Sequence, residues 1–257
     1  MYFTTAEITA WVGAVLWPFL RIGAMLVAAP LFGAGTVTVR IRLAFAFVLA
    51  LVIAPLLPLP PAVEPLSMAG LMIAVQQILI GLTIGFVLQM VFSAVTQAGE
   101  TIALSMGLGF ASMIDPQQGV QVPVVSTYFV IMSTLVFLAM NGHLALIELT
   151  LSSFHTLPIA AEGVSRADLL ALASWGSTMF TYALLVALPA VASMLVVNVS
   201  MGVVTRAAPQ LNIFAVGFPM MIMLGFVLLL LTLPVLLPQF TDLLQEAFGL
   251  MGRLAGQ

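Results

Sequence analysis

The chain has 257 residues, of which 63% are hydrophobic and only 6% charged, with six basic side chains, nine acidic ones and a formal net charge of -3. A soluble domain is about a quarter charged, so an ordinary water-facing surface cannot be assembled from this composition, and the chain must be wrapped in lipid, in partner proteins or in both. Six basic residues leave no phosphate-binding stripe, which argues against nucleic acid; no Cys means no disulfide, iron–sulfur cluster or thiolate zinc site, and no Lys means no P-loop, Schiff base or pyridoxal-phosphate site.

Taken in chain order, the opening segment carries Glu7 where a signal peptide has basic residues, and it shows no small-residue cleavage pattern. It reads as a retained first helix. Crossing about 30 Å of hydrocarbon takes roughly 20 apolar residues. Six runs approach that length: Ile8–Phe32, Ile41–Leu57, Met68–Val95, Val122–Ile147, Leu169–Val204 and Ile213–Leu237. The second is short, ended by Pro55, Pro58, Pro60, Pro61 and Pro65, which deny a helix its donors and favour an extended linker. The stretch SSFHTLPIAAEGVSRADLL, with Glu162, Arg166 and Asp168, reads as a solvated loop leading into a new helix. At the end of the chain, Phe240, Leu243, Leu244, Ala247, Met251 and Leu254 recur at helical spacing, with Asp242 placed for a first turn. They mark an amphipathic terminal helix, which either packs on its own bundle or docks at an interface. The expected fold is an all-α membrane protein of one domain over 1–257, made of helical hairpins: N-terminal helices over 1–168, then a hairpin and the terminal helix over 169–257.

Orientation is not decided by charge, because Arg40, Arg42 and Arg206 fall on one side of six alternating spans and Arg166 and Arg253 on the other. Arg21 lies near the middle of the first run, where an Arg costs about 2.5–3.5 kcal/mol on insertion scales. It needs a carboxylate, carbonyls or water: either it snorkels or lies at a helix end because Pro18 kinks the run, or it is buried against polar atoms of a partner chain. In the third run, Gln89, Ser93, Thr96, Gln97 and Glu100 share one helical face, which must meet water, a cavity or another polar helix. Gly81 and Gly85 form a small-xxx-small pair suited to close helix approach, a pattern common by chance.

Catalytic and cofactor motifs fail. His143 and Glu148 are five apart, which is not a zinc-helix spacing; GLGFAS at 107–112 lacks the third glycine of a dinucleotide loop; NVS at 198–200 lies in an apolar run, and no GxSxG occurs. The chain is expected to be no enzyme, with no cofactor and no metal.

Two segments remain. In 105–121, SMGLGFASMIDPQQGVQ, the glycines Gly107, Gly109 and Gly119 relax backbone limits, Met106, Phe110 and Met113 supply soft apolar bulk, and Asp115-Pro116 ends any helix. Irregular backbone at membrane depth is tolerated only inside protein or along a water-lined cavity. The residues fit either a plain surface connection or a loop that fills a channel mouth. In 206–219, Arg206, Pro209, Gln210, Asn212, Gly217 and Pro219 suggest a tight polar hairpin between the last two runs.

RAAPQLNIFAVGFP at 206–219, LSMGLGFASMIDPQQG at 104–119, APLFG at 29–33 followed by Arg40, and NGHLALIELTLSSFHTLP at 141–158 together resemble the FliR/SctT family of type III secretion export-gate subunits. The resemblance runs along essentially the whole chain, with its matches in the same order. It implies a bacterial inner-membrane subunit of the flagellar basal body, or of the injectisome for the virulence SctT branch. Such a subunit assembles with FliP, FliQ and FlhB into a helical export gate for unfolded export substrates. It also implies that Met106, Gly107, Gly109, Phe110 and Met113 close the pore while Asp115, Pro116 and Gly119 hold the turn, and that Arg206, Gln210 and Asn212 support a hairpin packed on neighbouring subunits. The rival from another class is a small-molecule secondary transporter with Arg21, Gln76, Gln77 and Glu148 as a midplane site. It predicts paired broken helices in two related halves, and the sequence has no convincing internal repeat.

Overall fold

A backbone withheld from water must satisfy its own N–H and C=O groups, and an α-helix does so within one segment. The computed structural model describes residues 5–33, 37–58, 60–108, 124–208 and 217–256, and among these helix is the only regular structure. The helices are α1 (Thr5–Ala28), the single turn α2 (Pro30–Gly33), α3 (Val39–Ile53), α4 (Met68–Ser105), α5 (Val124–Ala139), α6 (Gly142–Thr156), α7 (Arg166–Ala207) and α8 (Phe218–Leu254). Five of them are long and apolar enough to cross a membrane, and the bent pair α5 and α6 brings the number to six if counted as one span. This is an all-α membrane protein.

Three expected boundaries are corrected. The run Val122–Ile147 is not one straight helix: α5 and α6 meet at a 64° bend. Asn141 takes a left-handed φ of 57° there, its N–H donates to the Leu138 carbonyl at 3.0 Å, and the Phe137 ring lies where a side chain on Gly142 would go. The third run continues ten residues past Val95 to Ser105 as one helix. The terminal helix is not a separate element but the last part of α8, so Asp242 stands mid-helix rather than in a first turn. Its apolar periodicity is as expected. Phe240, Leu243, Leu244, Ala247, Met251 and Leu254 are all buried within the chain itself, which favours packing on its own bundle.

Helix ends follow local chemistry. At the start of α7, the Ser165 N–H donates to Asp168 Oδ2 at 2.8 Å and the Asp168 N–H to Ser165 Oγ at 3.2 Å, a reciprocal capping box. Ser67 Oγ receives the Gly70 N–H at the start of α4. Between α2 and α3 the guanidinium of Arg42 donates from Nε to Phe32 O at 2.9 Å and from Nη2 to Val37 O at 3.2 Å. Arg40, the residue that followed APLFG in the sequence pattern, is exposed.

The chain divides into two compact units. The first comprises Met1–Val91, Phe137–Gly176 and Leu244–Gln257, the second Phe92–Val136 and Ser177–Leu243. In the first unit α1 lies directly on α4. A Cβ on Gly85 would come within 2.6 Å of Met25 O and 2.7 Å of the Ala28 methyl, and Gly81 abuts Arg21 O and Ala24 in the same way. Small residues four apart on both helices therefore bring the two backbones together, the packing device of membrane helices. In the second unit the buried face of α7 is Ala183, Ala187, Ala190 and Met194, while Leu184, Leu185, Leu188, Leu195, Val196 and Val199 point outward. That arrangement, small inside and bulky outside, is the reverse of a soluble core, where large apolar side chains are the ones withdrawn from solvent.

Substituting Gly85 with Leu should force α1 off α4, overpacking that costs about 3 kcal/mol or more. Gly176, where an added Cβ meets nothing within 4 Å, should tolerate Ala. The check is recovery and thermal midpoint of the membrane-extracted protein: Gly85→Leu is expected to lose both, and Gly176→Ala neither.

Candidate functional site

The site begins where α4 ends. The Leu108 N–H donates to Ala103 O at 3.1 Å and the Gly107 N–H to Leu104 O at 3.0 Å, with Gly107 at φ 80°. This is a Schellman motif, with Gly107 supplying the left-handed residue that stops the helix. Met106, just before it, is fully buried and rests on Gly225 of α8, where a Cβ would come within 2.6 Å of the Met106 methyl. Asn198 of α7 donates from Nδ2 to Ser105 O at 3.4 Å. Three helices of the second unit thus fix the point from which the 106–121 segment departs. Of its expected residues, Met106 and Gly107 are described, at the end of α4; Gly109, Phe110, Met113, Asp115, Pro116 and Gly119 lie outside the described residues.

The return point is held as well. Ser126, in the first turn of α5, donates from Oγ to Thr96 O of α4 at 3.1 Å, and Gly99 leaves room for the Ser126 backbone. Beside it an apolar groove of about 270 Å3 is lined by Val124, Val125 and Tyr128 of α5 and by Phe226, Leu229, Leu230 and Leu233 of α8. The polar stripe of α4 is accordingly split. Thr96 turns its hydroxyl back to Phe92 O at 2.9 Å, while Gln89 and Gln97 are exposed and Ser93 and Glu100 half-buried. Of the expected hairpin residues, Arg206 is exposed in the last turn of α7, Gly217 is buried and Pro219 exposed, and Pro209, Gln210 and Asn212 lie outside the described residues.

Arg21 is neither at an edge nor reaching for another chain. It is fully buried in the first unit, donating from Nε to Gln77 Oε1 at 2.9 Å, from Nη1 to Ser153 O at 2.9 Å and Ser153 Oγ at 3.0 Å, and from Nη2 to Leu157 O at 2.9 Å. Its Cζ sits 4.1 Å above the centre of the Phe154 ring. No carboxylate takes part in these bonds. The carbonyls at the C-terminal end of α6 carry the negative end of the helix dipole, and the ring face adds its quadrupole. Arg21 therefore caps α6 from α1 and ties both to α4 through Gln77. Sequence spacing gives no sign of this, because the three partners lie 56, 132 and 136 residues away. Of the transporter site, Arg21 and Gln77 do meet, but Glu148 is exposed on α6. Among the described residues no group of three His, Cys, Asp or Glu stands close enough to hold a metal ion.

Residues 12–247 match the family described as bacterial export proteins, family 1. The chain belongs to that family. A flagellar biosynthetic protein FliR from Pectobacterium carotovorum subsp. carotovorum is 39% identical over 256 residues, covering 99% of this chain and 97% of its own length. The FliR of Escherichia coli (strain K12) is 38% identical over 254 residues, with the same shares covered. That of Bacillus subtilis (strain 168) is 33% identical over 226 residues, 87% of each chain. The similarity to these export proteins therefore takes in both units and the segment between α4 and α5.

Arg21→Met should leave Gln77 Oε1 and Leu157 O without the donor they have now and lower stability by about 3 kcal/mol, the scale of a lost charged hydrogen bond. Arg21→Lys keeps the charge but not the fork of donors and should fall in between. Thermal midpoints in one detergent should rank parent, Lys, Met; an unchanged midpoint for Met would remove the capping role.

Proposed function

We propose that the chain is a subunit of the flagellar type III export gate in the bacterial inner membrane, packed with FliP, FliQ and FlhB around the passage for unfolded export substrates, and that it contributes the segment that closes that passage. The observation that carries this reading is the match to flagellar export proteins over nearly the whole chain. The flagellar branch is preferred to the virulence branch because these relatives are flagellar proteins.

Helix lengths support an assembly. At 1.5 Å per residue, the 42 residues of α7 run about 63 Å, and the 37 residues of α8 about 55 Å. Hydrocarbon is about 30 Å thick and spans tilt by at most about 40°, so lipid cannot cover the whole outward apolar face of α7, which runs from Leu169 to Val204; on α8 that face stops at Leu237, and most apolar residues beyond it are buried within the chain. Partner helices are the remaining cover. In this reading the chain does no chemistry of its own. Its part is to hold a glycine- and methionine-rich segment, 106–121, at a root that three helices make rigid, while the segment itself seals and yields. Arg206, Pro209, Gln210, Asn212, Gly217 and Pro219 belong to the turn by which α7 and α8 pack on neighbouring subunits.

Deleting residues 107–113 should leave the assembled gate intact but leaky. Ion conductance of the reconstituted closed complex is the check. The account expects a rise on deletion, and an undisturbed seal would remove the plug from this segment.

A further inference from the structure

Within the second unit, the faces that α4 and α7 leave uncovered differ in chemistry. On α7 the outward side chains are bulky and apolar, with Leu188 55% and Val199 62% exposed. The hydroxyls there are satisfied by their own helix: Thr181, Ser193 and Ser200 each donate to the carbonyl four residues back. Apart from the exposed amide of Asn198, which donates to Ser105 O at 3.4 Å, such a face needs no water. On α4 a polar seam reaches the surface at Gln97, which is exposed, flanked by the half-buried Ser93 and Glu100, spaced four and three apart, with Val95, Ala98 and Ile102 buried on the opposite side. A carboxylate only accepts hydrogen bonds, and the middle of a helix has no spare N–H to offer one. The seam therefore requires water or a polar chain against it at whatever depth the unit lies.

The seam also has a direction. It runs toward Leu104, 67% exposed, and ends at the Schellman turn of Gly107. Going the other way along α4, the exposed residues before Gln89 are apolar: Val75, Ile78, Leu82 and Phe86. Apart from the half-buried Gln76, the polar side chains that reach the surface of α4 are thus gathered in about four turns next to the root of the plug segment.

We propose that Ser93, Gln97 and Glu100 form part of the aqueous wall of the export passage, a track along which an unfolded polypeptide slides past the plug. The proposal rests on the function proposed above. A wall of this kind suits an unfolded chain of any sequence. Amide and hydroxyl groups exchange hydrogen bonds with a passing backbone without holding it, and one carboxylate per copy keeps the track wet. The opposite choice, apolar side chains like those on α7, would bind the hydrophobic stretches of such a chain and stall it.

The chain contains no cysteine, so single cysteines report one position each. The test uses the full export apparatus in cells, with a substrate halted by a folded C-terminal domain and carrying one cysteine in its unfolded tether. Ser93→Cys, Gln97→Cys, Val199→Cys and Met113→Cys are compared for disulfide cross-linking to the tether, in variants that co-purify with their partners. Cross-links at 93 and 97 but not at 199 are expected. A cross-link at 113 with none at 93 or 97 overturns the track and leaves the gate assignment standing, and equal cross-linking at 97 and 199 overturns the track too. No cross-link at any of the four positions overturns both.

Discussion

With few charges and many bulky apolar side chains, helices here meet through small residues at their closest approaches, and more large side chains are left outside than the buried cores around Trp17, Phe129, Phe137 and Phe154 can take in. The contact of Gly81 and Gly85 with Ala24 and Ala28 is the clearest instance, and the alanine face of α7 is another. Close backbone approach gives dispersion contacts without needing water to drive them. It also explains why so much apolar surface remains uncovered. That surface is not a defect of folding but the part of the structure reserved for lipid and neighbouring helices.

Polar groups that enter such an interior must bring their partners with them. Arg21 is satisfied by one amide, one hydroxyl, two carbonyls and an aromatic face, all from the first unit. A buried carboxylate counterion would have carried its own desolvation cost; a helix end already present does not. The charge makes the register of α1, α4 and α6 specific, since sliding any one of them by a turn would separate the guanidinium from its acceptors. Among the described residues of the second unit, no buried charge clamps the root of the 106–121 segment. There the Schellman turn at Gly107 and the Met106–Gly225 contact do the positioning.

The sequence made the helical class, the approximate spans and the export family legible, because hydropathy and local motifs are read within one stretch of chain. The apolar spacing of Phe240 to Leu254 is found as read, and the proline run does end α3, though Pro55 falls in a 3₁₀ turn, Ala54–Leu56, rather than in extended chain. What escaped were features fixed by distant parts of the chain. The surroundings of Arg21 depend on residues more than a hundred positions away, and the bend at Asn141 lies inside an uninterrupted apolar run, where composition gives no warning. The pair Gly81 and Gly85 was visible but indistinguishable from chance until Ala24 and Ala28 were seen across from it. In the stripe on α4, spacing could place Thr96 with its neighbours but could not tell that its hydroxyl turns to Phe92 O and its carbonyl meets Ser126 of α5, while Gln97 stands open.

The claim on which the account turns is that α7 is covered by other subunits along the length that lipid cannot reach. Extraction of the affinity-tagged chain from cell membranes in a mild detergent, followed by native mass measurement, tests it directly. The account predicts a discrete hetero-oligomer containing several other membrane proteins. A well-behaved, monodisperse single chain, recovered without partners and stable in that state, would contradict it.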